Sequence, residues 1–205
     1  MTTIIGLSGS LRRGSCNTVL LRTAAELAPA SCTIEIASIR EIPLYDGDLE
    51  AEQGIPKAVA ALKDRVAAVD GLLLVTPEYN NSIPGVFKNA IDWLSRPASD
   101  IGRVFGGKPV GLIGATPGGM GTAFSQTAWL PILRTLGTRP FFGKNLYISG
   151  AGKIFDAQGH LTDNELRERL RVYVEQFAAF VARYKTTEFS GRKLNQARHA
   201  DLRYL

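Results

Sequence analysis

Ser8-Gly-Ser-Leu-Arg-Arg-Gly-Ser-Cys-Asn-Thr18 stands between two apolar patterns of different period. Ile4, Ile5 and Leu7 precede it as a short continuous run; Val19, Leu20, Leu21, Ala24 and Leu27 follow at helical spacing. A strand therefore feeds a helix through a loop of small residues, hydroxyls and two arginines. The first N–H groups of that helix have no intrahelical acceptor, and its dipole favours negative charge. With Ser8, Ser10, Ser15 and Thr18 as hydroxyl donors and Arg12 or Arg13 as a cation, the stretch reads as an anion site, and the anion expected is a phosphate.

The rest of the chain supplies the remaining elements. Thr2–Leu7 has the composition of a strand buried on both faces of a parallel sheet. Asn17 is the expected N-cap of a helix reaching about Ala28, and Pro29 ends it. Thr33–Ala37 reads as the second strand, and residues 42–54, with their Pro, Gly and acidic punctuation, as a loop. Pro56 opens a helix with Val59, Leu62, Val66 and Val69 on one face. Leu72–Thr76 is the strongest strand signal. A helix through Val86, Ala90 and Leu94 follows and stops at Pro97. Lys108–Ala115 is the fourth strand; a helix over 123–136 should be kinked or split by Pro131. Pro140–Ile148 is the expected fifth strand. Leu166, Leu170, Val174, Phe177 and Val181 mark the last helix, started by Thr162 or Asp163.

Five strands alternating with helices predict an α/β fold, an open five-stranded parallel sheet of order 2-1-3-4-5 with helices on both faces. One domain is expected over 1–184. Residues 185–205 are expected to be a basic tail, either mobile or an appended sequence.

Composition excludes several functions. The chain has 205 residues, 45% of them hydrophobic, which excludes disorder. Two cysteines and two histidines are too few for a disulfide framework or a metal cluster, so no metal is expected. No apolar run reaches the ~20 residues of a membrane span, and no basic-then-apolar leader opens the chain. A cytoplasmic protein without a membrane partner is expected. Of the net charge of +5, +3 lies in residues 190–205, without a basic stripe interleaved by aromatics, so no nucleic-acid partner is expected.

In such a sheet, ligands bind beyond the carboxyl ends of the strands where the winding reverses. Three unusual segments leave those ends: the opening loop, Thr76–Gly85 and Ala115–Gly121. The opening loop lacks the G-x-G-x-x-G of a dinucleotide site and the Gly-Lys-Ser/Thr of a P-loop. Its hydroxyls suit a terminal phosphate, and the monophosphate of FMN fits best. In the second segment two prolines stiffen the chain and Tyr79 offers a face to a flat ring, with backbone near Glu78–Asn80 at the ring's polar edge. Asn81 and Ser82 would line the approach to its open side. Pro117-Gly-Gly119 lets backbone come close to a ligand.

Gly9-Ser-Leu-Arg-Arg-Gly-Ser-Cys-Asn17, Pro77-Glu-Tyr-Asn80 and Ser82-Ile-Pro-Gly-Val-Phe-Lys-Asn-Ala-Ile-Asp-Trp93 together resemble the NADPH-dependent FMN reductase family, and within it the chromate and quinone reductase branch. The likeness covers roughly residues 3–184. It implies a flavodoxin-like fold, bound FMN and NADPH or NADH as co-substrate. It also implies two-electron reduction of quinones, azo dyes, chromate or free flavin, in a homodimer or homotetramer. The family's phosphate-loop positions fall on Ser10, Leu11, Arg12, Gly14, Ser15, Cys16 and Asn17. Its ring-contacting positions fall on Pro77, Glu78, Tyr79, Asn80 and Thr116. Asn81 departs from the Tyr often found in this branch, which changes the wall over the flavin. No side chain is assigned as a catalytic acid or base, because the cofactor carries the chemistry. Cys16 is read as a small packing residue, Trp93 as a core or subunit contact, and His160 as exposed. The alternative is a flavodoxin-type electron carrier with no substrate of its own.

Overall fold

The computed structural model describes residues 1–156 and 160–201, and the side chains of 1–156 and 160–185. Strands β1 (Thr2–Ser8), β2 (Cys32–Ala37), β3 (Gly71–Val75) and β4 (Pro109–Ala115) are joined by two short strands, β5 (Arg139–Pro140) and β6 (Tyr147–Ile148). The order is β2-β1-β3-β4-β5, all parallel, with β6 also on β4. The predicted order is therefore observed. The expected fifth strand, 140–148, is instead two two-residue strands separated by a bend at Gly143.

Among the described residues there are seven helices: α1 (Cys16–Glu26), α2 (Gly47–Gln53), α3 (Lys57–Ala68), α4 (Gly85–Leu94), α5 (Ile101–Val104), α6 (Ala123–Thr135) and α7 (Asn164–Asp201). Alternation along the strands sends residues to two separate cores. Ile4, Leu73, Val75 and Ile113 pack against α1 and α7. Ile5, Leu7, Leu72, Leu74 and Val110 pack against α3, α4 and α6. The largest buried rings, Trp93, Trp129, Tyr173, Phe87, Phe105 and Phe177, fill these two layers. Trp93 belongs to the core, as its helical position implied.

Several local expectations change. The segment read as a loop over 42–54 contains α2, capped by Asp46, whose carboxylate accepts from Asp48 N–H at 2.9 Å. No α2 residue is buried, so no apolar period announced it. Ser15, not Asn17, caps α1: its backbone is extended and its Oγ accepts from Thr18 N–H. Pro56 is the cap residue itself, one position before the helix. A 3-10 turn over Ala98–Asp100 and α5 follow Pro97, where no helix was expected. Pro131 lies inside α6 without splitting it. Asp163 caps α7 through Leu166 N–H, one of the two residues expected. The tail expected at 185–205 falls, beyond Lys185, on residues outside the described side chains. No helix among the described residues is long and apolar enough to cross a membrane.

Asp70, at the start of β3, ties three elements together. Its Oδ2 accepts from Thr3 N–H at 2.9 Å and from Lys185 Nζ at 2.9 Å. Burial raises its pKa, but these bonds outweigh burial and hold the carboxyl below its ordinary value. A carboxylate whose folded pKa is depressed stabilises above its unfolded pKa of ~3.9 and loses that contribution as pH falls through the folded value. The melting temperature is therefore expected to drop below about pH 4. Calorimetric scans should find Asp70→Asn less stable at pH 7 and closer to the parent at pH 3; a constant difference would overturn the assignment.

Candidate functional site

The three loops leave neighbouring strands on one end of the sheet. β1 and β3 stay in register to Ser8 and Val75, and Gly9 N–H then donates to Val75 O at 2.9 Å. A side chain at Gly9 would put its Cβ 2.2 Å from the Phe87 ring, so only glycine lets the loop pass α4. The loop is propped from the far side by Arg40, beyond β2, whose Nη2 donates to Leu11 O at 2.6 Å. A cleft of about 190 Å³, lined by Ser8, Ser10, Leu11, Thr18, Ser38 and Arg40, separates loop and β2 elsewhere. Sequence reasoning missed Arg40, since a lone arginine after a strand carries no spacing signal.

Within the loop, Ser10 Oγ accepts from Arg12 N–H, and Ser8 Oγ and Thr18 Oγ1 hydrogen-bond at 3.0 Å. The N–H groups of Ser10, Leu11, Arg13, Gly14 and Ser15 have no acceptor among the described residues. Those of Cys16 and Asn17 stand in the first turn of α1, where a helix provides none. Arg12 and Arg13 are exposed, and neither side chain has a hydrogen bond or ion pair among the described residues. Free donors, a helix N-terminus and two uncommitted guanidiniums make a cradle for a dianionic phosphate. The residues present fit the phosphate of FMN. Cys16 is half-buried as the first residue of α1, with Sγ 3.8 Å from Ala151 O, in keeping with a packing role.

Asn17 is placed differently from its neighbours. It is buried, and its amide pairs with both backbone groups of Ala115: Nδ2 donates to Ala115 O at 2.8 Å, and Ala115 N–H donates to Oδ1 at 2.9 Å.

The second loop is fixed by side-chain bonds to residues far away in the chain. Thr76 Oγ1 meets Pro77 O, Ser125 Oγ at 2.8 Å and Trp129 Nε1 at 3.2 Å, all buried. Glu78 Oε2 accepts from Ser125 N–H at 3.0 Å, so its carboxylate caps the first turn of α6. Pro77 is buried and Glu78 half-buried, whereas Tyr79, Asn80, Asn81 and Ser82 are exposed. Tyr79 and Ser82 exchange both backbone hydrogen bonds, at 3.1 and 3.0 Å, around Asn80 (φ 50°) and Asn81 (φ 58°). This is a two-residue type I′ turn, and asparagine tolerates its left-handed conformation better than other side chains. Asn81→Gly is expected to leave the melting temperature nearly unchanged. Asn81→Val should cost about 1–2 kcal/mol, read calorimetrically as a fall of roughly 2–8 °C; equal melting of both variants would contradict it.

The third loop begins at Thr116, nine-tenths buried, whose N–H donates to Ile148 O and whose C=O accepts from Ala151 N–H. It ends on Gly121 (φ 60°) and Thr122 (φ 69°), two left-handed residues in succession. Thr122 is fully buried, and its Oγ1 accepts from Gln126 Nε2 at 3.0 Å. A β-branched residue in this region is rare and strained, and such strain concentrates at ligand sites. The structure thus brings all three predicted segments to one end of the sheet. His160 is exposed and bonded to Asp156.

Known proteins resemble the chain in sequence and in shape. Residues 2–153 match the sequence model of NADPH-dependent FMN reductase. An NAD(P)H-dependent FMN reductase of Pseudomonas aeruginosa is 42% identical over 182 residues, covering 89% of this chain and 96% of the relative. A quinone reductase of Escherichia coli is 37% identical over 185 residues, covering 89% and 96%. The flavoenzyme NAD(P)H:(acceptor) oxidoreductase FerB of Paracoccus denitrificans superposes with a TM-score of 0.79 at 34% identity, over 90% of this chain and 99% of that one. With the predicted sheet order observed and the cradle in place, these likenesses identify the chain as a member of the NADPH-dependent FMN reductase family, a flavodoxin-like oxidoreductase that works with FMN and NAD(P)H.

Proposed function

We propose that the protein holds FMN across the three loops and reduces quinones by a ping-pong cycle, with azo dyes, chromate and free flavin as further acceptors. The observation that carries this reading is the cluster of N–H groups and two arginines without partners among the described residues, beside a loop stiffened by Pro77. Bound FMN supplies the redox chemistry, taking a hydride from NAD(P)H and passing two electrons to the acceptor. The chain's own residues bind and orient. Ser10, Arg12, Gly14, Ser15 and the first N–H groups of α1 hold the phosphate. Pro77, Glu78, Tyr79, Asn80 and Thr116 frame the ring, and Asn81 and Ser82 line the entry for NAD(P)H and acceptor in turn. Glu78 acts through its backbone and its grip on Ser125, and in this reading no side chain serves as a proton donor because the cofactor carries the chemistry.

Relatives named quinone reductase and 2-hydroxy-1,4-benzoquinone reductase support quinones as the first class to try. A cytoplasmic homodimer or homotetramer completes the proposal; the exposed Met120 in the third loop and Phe124 just after it are side chains that a second subunit would cover. The test is an anaerobic absorbance scan of the FMN-loaded protein with NADH and NADPH added separately, then a quinone. Bleaching of the flavin band by either nucleotide and its return with the quinone are expected. A band that neither nucleotide bleaches would overturn the enzyme reading in favour of an electron carrier.

A further inference from the structure

The link between the opening loop and the third loop is one side chain. Thr76 N–H donates to Ile113 O at 2.8 Å, and there β3 turns away at Pro77, which has no N–H to continue the ladder. Ala115 lies two residues beyond Ile113 and so faces the same edge of β4, while Thr116 N–H faces the other edge and bonds Ile148. The N–H and C=O of Ala115 therefore point into the space that β3 has vacated. The amide of Asn17 fills that space, accepting from one group and donating to the other across 98 residues of chain. It serves as one more peptide unit of β3, delivered from the second residue of α1.

We infer that Asn17 is a positioning residue that couples the phosphate end of the flavin site to its ring end, rather than a phosphate ligand like its neighbours in the loop. One amide N–H and the Oδ1 are both engaged in the interior, so the side chain is oriented without a ligand. Its backbone belongs to the turn whose N–H groups face the anion, and Ala115 leads directly into Thr116. An anion that orders the first turn of α1 thus orders the start of the ring-flanking loop, and by linkage a bound ring favours the anion. Neither Asp nor Leu can replace the amide. Asp cannot donate to Ala115 O, and Leu makes neither bond, so each leaves a buried backbone group unpaired.

The inference rests on the flavin reading, and its test separates the two. Cofactor-free protein is titrated with FMN, then with riboflavin in the absence and presence of saturating inorganic phosphate. Phosphate is expected to tighten riboflavin binding about fivefold or more in the parent protein. In Asn17→Asp and Asn17→Leu the effect should vanish. If FMN fails to bind, the flavin reading falls and this inference with it. If FMN binds but phosphate leaves riboflavin affinity unchanged in the parent, or tightens it equally in the variants, this inference alone is overturned. Amide exchange of the parent protein needs no variant and covers the case in which both fail to fold. The Ala115 N–H should be protected without ligand, and inorganic phosphate alone should slow its exchange several-fold; exchange at the unprotected rate, or indifferent to phosphate, would refute the coupling.

Discussion

Arg12→Ala is expected to lose flavin before it loses chemistry. The guanidinium is exposed and has no partner among the described residues, so its removal leaves the folded chain intact. What disappears is a charge-assisted hydrogen bond to the phosphate, worth about 1.5–3 kcal/mol. The dissociation constant of FMN should rise by roughly 10–100-fold, and the loss should grow smaller at high salt, where screening already weakens the ion pair. At saturating FMN, kcat with NAD(P)H and a quinone should stay within about twofold of the parent, because the ring-framing residues are untouched. Fluorescence titration and steady-state rates at two flavin concentrations measure both. Full retention of FMN at low concentration together with lost turnover would reverse the roles assigned to the two loops.

Gly114→Ala should have the largest effect on stability. A Cβ at this position of β4 would lie 2.0 Å from Thr76 O and 2.6 Å from Thr122 Oγ1. The first is backbone, fixed by the ladder to Ile113, and the second belongs to a fully buried, left-handed residue. The backbone oxygen cannot retreat by rotating a side chain, and rotation of Thr122 would break its bond from Gln126 Nε2. Overpacking of this kind typically costs 1–3 kcal/mol and more where backbone must move, so about 3 kcal/mol is expected. For a chain of this size that is a fall of roughly 6–12 °C in melting temperature. Since Thr76 and Thr122 bound the two ring-side loops, FMN affinity should fall with it. Gly118→Ala is the control, because its Cβ would meet only the Thr116 side chain at 3.9 Å, an ordinary contact. Equal melting of the two variants would refute the steric argument.

The sequence made some features legible and hid others for identifiable reasons. β1, β3 and β4 are continuous apolar runs because both faces of the sheet are covered, and such runs are read directly. The cradle was legible because its donors are local, lying within eleven consecutive residues. The devices that hold the loops in place were not. Arg40 on Leu11 O, Glu78 on Ser125 N–H and Asn17 on Ala115 each join residues far apart in the chain, and no spacing rule connects them. Asn17 was misplaced as a helix cap for an instructive reason. Ser15 and Asn17 are both good capping types; Ser15 takes the task, and Asn17 is drawn inward by two unpaired backbone groups. Helix α2 escaped because it buries nothing, although Asp46 and the acidic first turn were its only local signs. β5 and β6 were merged because their composition is that of one strand, while the break at Gly143 depends on packing, with a Cβ there striking the Phe141 ring.

That break gives the sheet two unlike margins. On one side β2 presents six residues that pair only with β1 among the described strands, with Glu35 turned outward toward Arg65. On the other, two strands of two residues each are interrupted by 141–146 and give no continuous row of peptide groups. A long, flat free margin is a template on which another chain can add a strand. The β5/β6 side cannot act as one. Any assembly that uses this side must therefore be built from side chains, not by extending the sheet from one subunit into the next.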